Sequence, residues 1–143
     1  MDLKQQLKTV LATVFTLQVK AANFHWNVEG ENFYQLHQLF GEIYSETNAS
    51  IDPFAEQCRT LGTYAPGSLK RFAELSKIEE AVSPLPSADM VKQLLRDNET
   101  VIALMTECLQ AAEEADQQGL INFLGARIEQ HKKWSWFLRA TSK

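Results

Sequence analysis

Four side chains in this sequence have the types and spacing to hold a divalent transition metal: His25, His37, Asp52 and Glu56. Each alone has a plainer reading. A histidine beside a tryptophan, as in His25-Trp26, is usually a satisfied structural residue, and the same holds for His37. Asp52 and Glu56 are four residues apart, hence on one face of a helix, and such pairs are usually solvated. Like charges at that spacing slightly weaken a bare helix, a penalty that a bound cation relieves. Together, two imidazoles and two carboxylates suit a borderline ion such as iron(II). Carboxylates keep their affinity as that ion is oxidised. Imidazoles favour transition metals over calcium or magnesium.

The elements that must position these groups are helices. No stretch alternates apolar and polar residues between hairpin turns. A first helix is expected over about 3 to 28, with Leu3, Leu7, Val10, Leu11, Val14 and Leu17 at helical spacing. Gly30 suits a left-handed cap at its end. A second starts at Asn32, where Asn32 and Gln35 resemble a capping box. It carries Leu36, Leu39, Phe40, Ile43 and Tyr44 and runs to about Leu61. Pro53 inside it should kink or divide it. Residues 62–67 read as a loop, 68–76 as a short helix and 82–86 as a second loop. Ser87 is the expected N-cap of a third long helix ending near Ala115. Its apolar face holds Val91, Leu94, Leu95, Val101, Ile102, Met105, Cys108, Leu109 and Ala112. Asp116 is expected to cap the fourth, which ends near Ala140 and offers Leu120, Phe123, Leu124, Ile128 and Leu138 to the core.

The long connection between the second and third long helices lets them run parallel. This is the crossover, ferritin-like form of a four-helix bundle. The expected fold is therefore all-α, with one extra short helix, as one domain over residues 1–143.

Helix geometry restricts how the four candidates meet. His37 and Asp52 stand fifteen positions apart on one helix, so roughly 22 Å separates them along the axis. They cannot ligate one ion within a chain. His25 can approach His37 because the joining loop is short. An antiparallel second copy of the helix would bring its Asp52 and Glu56 to the end carrying His37, and two-fold symmetry would make two equivalent sites. The alternative, a di-iron site inside one bundle, uses Glu-x-x-His motifs. The sequence has none, and Glu129 precedes His131 by only two positions.

Composition is that of an ordinary globular domain, 45% hydrophobic and 22% charged. No apolar run nears the roughly 20 residues of a membrane span. The first residues lack a secretory pattern, so a cytoplasmic location is expected. Cys58 and Cys108 have no ligand spacing and read as buried thiols. The net charge of −4 argues against a non-specific nucleic-acid binder, which needs a basic footprint.

The segments His25-Trp26-Asn27-Val28-Glu29-Gly30, Phe33 with Leu36-His37 and Phe40, and Asp52-Pro53-Phe54-Ala55-Glu56 before Leu61-Gly62 resemble the signature of the Dps family, the DNA-protecting mini-ferritins. Trp136-Phe137-Leu138-Arg139-Ala140 resembles that family's closing segment, and the steps between the four candidates match without insertion. The resemblance implies an iron(II) oxidation site made by His25 and His37 of one subunit with Asp52 and Glu56 of its two-fold mate. It implies that Trp26 lies against the site and absorbs oxidising equivalents. It further implies a hollow dodecamer that oxidises iron(II) with hydrogen peroxide or oxygen and stores the ferric product.

Two features depart from the family pattern. Gln57 stands where many members have arginine after the site glutamate. The lysine-rich terminal tail of DNA-binding members is absent, and Lys132-Lys133 reads as a surface charge pair. Glu42 and Glu46 are candidates to face a cavity and nucleate mineral, and Glu113, Glu114 and Asp116 to line an ion pore. Both sets read more simply as solvated acid groups. Trp134 and Trp136 read as packing or interface residues. Two other classes of function compete: a DNA-compacting protein with secondary iron chemistry, and an inert helical oligomer. Because no basic tail is present, mixing the protein with duplex DNA at physiological salt should give little mobility shift. A tight, salt-resistant shift would overturn that expectation.

Overall fold

The computed structural model describes residues 1–143 as five helices and no strand: α1 (Leu3–Asn27), α2 (Phe33–Thr60), α3 (Leu69–Leu75), α4 (Ser87–Glu114) and α5 (Gln118–Thr141). The four long helices and the short one stand where the apolar spacing puts them. Several caps differ from expectation. Val28, in extended conformation, closes α1, and Gly30 takes its positive φ of 112° later, in the turn. Asn32 precedes α2 but makes no side-chain cap bond. Its ψ of 26° is not the extended geometry that swings a capping side chain over the first turn. Pro86, not Ser87, is the N-cap of α4, and its carbonyl accepts from Asp89 and Met90 at 3.0 and 3.1 Å.

Asp116 caps no helix start. It sits at φ 54° and ends α4, with Asp116 N–H donating to Glu113 and Gln117 N–H to Ala112. These are the two bonds of a Schellman closure. Gly62, at φ 84°, closes α2 the same way through Arg59 and Cys58. Pro53 lies exposed inside α2 without dividing it.

Side-chain pairings set the topology. Asn48 bonds Gln18, and His37 meets His25, so α1 and α2 are antiparallel. Phe54 packs edge-on against Phe123, and Glu46 meets Arg127 and Trp134, so α2 and α5 are antiparallel. Only residues 115–117 join α4 to α5, so α5 turns back antiparallel along α4, where Asn98 joins His131 and Ser135 and Arg139 reaches Glu99. Helices α2 and α4 therefore run parallel, and the connection carrying α3 crosses the bundle.

One core unites the long helices, with Leu7, Leu11, Leu17, Phe24, Phe40, Ile43, Leu94, Met105, Leu124 and Leu138 sealed from solvent. Cys58 and Cys108 are free and buried. Burial raises the Cys58 thiol, and burial together with the neighbouring Cys58 raises Cys108 to about 12. Both are inert thiols at neutral pH.

Polar side chains of α1 tie down the crossover. Thr13 Oγ1 accepts from Lys77 N–H at 3.1 Å. Lys20 Nζ donates to the Glu79 carbonyl at 2.9 Å and Asn23 Nδ2 to the Ala81 carbonyl at 3.0 Å. Lys20 also pairs with Asp97 of α4 at 2.6 Å, the side chains only 2% and 4% exposed. A buried charge left without its partner is strongly unfavourable, whereas an apolar replacement of both is not. Lys20→Met leaves Asp97 only the exposed Arg96, at 3.3 Å, and should lower stability by up to roughly 3–5 kcal/mol in urea unfolding. Lys20→Met combined with Asp97→Leu should recover much of that loss. Equal losses in both variants would count against this pair as the determinant.

Candidate metal centre

His25 is in the last turn of α1 and His37 in the first turns of α2. Between them the core pair Phe24–Phe40, with ring centroids 5.9 Å apart, fixes the register of the two helices. Each histidine follows from this register. His25 Nδ1 lies 2.6 Å from the carbonyl oxygen of His37, and His37 Nδ1 lies 2.6 Å from the carbonyl oxygen of His25. A carbonyl only accepts, so both Nδ1 atoms carry the proton. That leaves Nε2 as the ring nitrogen of each histidine with no partner in the chain. Such a bond to the remote nitrogen orients metal-binding histidines and sets their tautomer.

The rings stack at 4.0 Å between centroids and 14° between planes. Phe33 stacks on the outer side of His37 at 5.1 Å. The His25 carbonyl belongs to the last turn of α1, where helix carbonyls lack an intrahelical partner. His37 supplies one. Trp26 is 67% exposed beside the pair. The aromatic stacked on the pair within the chain is Phe33, which the sequence shows as part of a motif but not as a stacking partner.

Asp52 and Glu56 are exposed on the C-terminal half of α2, outside any ion pair of the chain. Because α2 is continuous, the fifteen-residue spacing keeps them from the histidines. No three acidic, histidine or cysteine side chains of one chain converge on a common point. The structure thus brings together His25 and His37 and leaves Asp52 and Glu56 as a separate exposed pair.

Glu46, a candidate for lining a cavity, is half-buried and tied to α5 of its own chain. Its carboxylate takes both terminal nitrogens of Arg127 and, at 3.1 Å, the Trp134 indole N–H. Burial opposes ionisation of Glu46, but the bonds from Arg127 and Trp134 outweigh it and lower its pKa. Arg127 Nη2 also donates to His131 Nε2 at 3.0 Å, and His131 Nδ1 donates to Asn98 Oδ1 at 2.7 Å. His131 is fully buried. Burial, reinforced by Arg127, holds its pKa at about 3. Trp134 is packing, as expected, whereas Trp136 projects from the chain. Glu42, Glu113, Glu114 and Asp116 are exposed.

Comparison with known proteins adds to this geometry. Residues 4–143 match the family model described as Ferritin-like domain. An uncharacterized low temperature-induced protein of Nostoc is 37% identical over 132 residues, spanning 91% of this chain and 74% of that one. The DNA protection during starvation protein of Brevibacillus brevis is 34% identical over 141 residues, 95% of either chain. The crystal structure of a Dps protein from Bacillus brevis superposes with TM-score 0.94 at 31% identity, covering 99% of this chain and 95% of that one. The chain belongs to the Dps family. Its crossover bundle with α3 between the long helices is the Dps form of the ferritin-like fold. The general role of this family is iron storage and protection against stress. No helix of this Dps-type chain is long and apolar enough to cross a membrane.

The internal histidine generates a pH effect independent of any metal. An unfolded His131 takes a proton near pH 6.5, while the folded one stays neutral to about 3. Between those values the unfolded state binds more protons, so stability falls as pH falls. The loss approaches roughly 1.4 kcal/mol per pH unit, and Glu46 adds to it only below its unfolded value of 4.5. Urea unfolding between pH 6.5 and 5 should show this slope in the native chain and a flatter one in His131→Gln. Identical slopes would remove His131 as its source.

Proposed function

We propose that this Dps-type chain oxidises iron(II) at a site shared by two copies, with His25 and His37 from one and Asp52 and Glu56 from its two-fold mate. The observation that carries this reading is the reciprocal lock of the two histidines. It commits both Nδ1 protons to main-chain carbonyls and so presents two Nε2 lone pairs from one small patch. Two neutral nitrogens bind iron(II) but do not balance its charge. The exposed, unpaired Asp52 and Glu56 supply the missing anionic oxygen donors, and only a second copy can deliver them.

In this reading iron is substrate and cargo. The imidazoles and carboxylates hold two iron(II) ions where an oxidant reaches them. Hydrogen peroxide takes one electron from each, its O–O bond breaks, and the oxygens leave as hydroxide or water. Taking both electrons at one place avoids release of hydroxyl radical. Dioxygen is the other candidate oxidant. Trp26, exposed beside His25, is placed to absorb a stray oxidising equivalent. The ferric product is stored within a larger closed assembly, the dodecamer of the family, in the cytoplasm. The competing DNA-compacting reading is not favoured by a net charge of −4.

Subunit mixing tests the shared site directly. Iron(II) is loaded anaerobically, one addition of peroxide follows, and the ferric absorbance is recorded. His37→Ala and Asp52→Ala should each lose most of the rapid phase with helix content unchanged. If the two variants are unfolded and reassembled together, half the dimers are hybrids with one intact site of two. About a quarter of the native amplitude should return. No recovery on mixing, with hybrids shown to form, would place the ligands within one chain or dismiss them.

A further inference from the structure

The His25 ring lies against bare backbone of α2 at Gly41. A Cβ built on residue 41 would stand 2.7 Å from His25 Nδ1 and 2.8 Å from its Cε1. Both are far inside van der Waals contact. The other two helical glycines, Gly119 and Gly125, have nothing within 4 Å of that position. So close an approach is particular to this position.

Helix geometry explains it. The carbonyl of His37 lies in the interior of α2, where the helical pattern already gives it the N–H of residue 41. It has a second lone pair, and His25 Nδ1 reaches that lone pair at 2.6 Å. On a helix, however, each side chain leans back over the turn preceding it. Any side chain at 41 would cover the carbonyl of 37. Glycine leaves it open. A glycine inside a helix is intrinsically unfavourable relative to alanine, so the position gives up local helix stability in exchange for access to one carbonyl.

We propose that Gly41 is a positioning residue of the histidine pair: it is the seat that lets the His25 imidazole reach the His37 carbonyl and hold its Nε2 for metal. The seat itself follows from contact geometry alone, while its consequence for metal binding rests on the shared-site reading above. A side chain at 41 lifts His25 off the carbonyl, breaks the reciprocal lock and frees the ring to rotate or change tautomer. Loss of such an orienting bond typically weakens metal binding by roughly 10–100-fold.

The test is a cycle of Gly41→Ala and His25→Ala, singly and together, in the full assembly. Imidazole nitrogen NMR reads the His25 tautomer, cobalt(II) titration reads the site with the metal alone, and thermal melting reads the fold. In Gly41→Ala the hydrogen-bonded His25 Nδ1–H signal should vanish and cobalt(II) affinity should fall at least roughly ten-fold. In the His25→Ala background the same substitution should leave cobalt(II) affinity unchanged and raise Tm, because alanine is the better helix former and no atom outside His25 comes nearer than 3.5 Å to the new Cβ. Gly41→Ala failing to fold while the double variant folds would equally identify His25 as the clashing group. An unchanged His25 signal, an equal loss of cobalt(II) in both backgrounds, or failure of both variants to fold would overturn the proposal. A native protein that ignores cobalt(II) but loses the His25 signal on Gly41→Ala would keep the seat and reject the metal site.

Discussion

Two imidazole N–H groups, each donating to the main-chain carbonyl of the other residue, tie the end of α1 to the start of α2. The bonds close only if the two helices pack in one register. Phe24 and Phe40, buried next to the histidines, hold that register through the core. A one-residue slip would turn the histidines onto different faces and leave the final carbonyls of α1 without partners. Packing of the hydrophobic core and orientation of the two imidazoles are therefore one event.

The bundle treats its charges in two ways. Inside, buried Asp97 meets Lys20, and half-buried Glu46 meets Arg127 and the Trp134 N–H of the same chain. His131 stays neutral because a proton there would be buried beside Arg127. Burial without these partners would be prohibitive. The internal carboxylates are thus committed to structure. Asp52 and Glu56, with no such partner, remain free to meet a cation delivered from outside. Contact chemistry, not residue type, separates Glu46 from Asp52 on the same helix.

Much of the fold was legible because helical periodicity is a local property. The long helices, the short α3 and the crossover all follow from apolar spacing and loop lengths. The caps were less legible. Asn32, Ser87 and Asp116 have capping side chains, but backbone torsion decides whether the oxygen reaches an N–H. Glu46 was misread for a related reason. A glutamate on a helix face looks solvated until a particular arginine, eighty-one positions away, is known to lie opposite.

By itself, the sequence determined the helices, the all-α class, the pairing of His25 with His37 across a short loop, and the separation of Asp52 from them on one rigid rod. All of these follow from fixed rise per residue and short-range connectivity. Only the tertiary structure decided which nitrogen of each imidazole is free and that Phe33 covers the pair. It alone showed that Glu46 is already neutralised and that bare backbone at Gly41 meets the His25 ring. Those outcomes depend on how helices dock against one another. Docking is set by the combined packing of a core whose members are scattered along the whole chain.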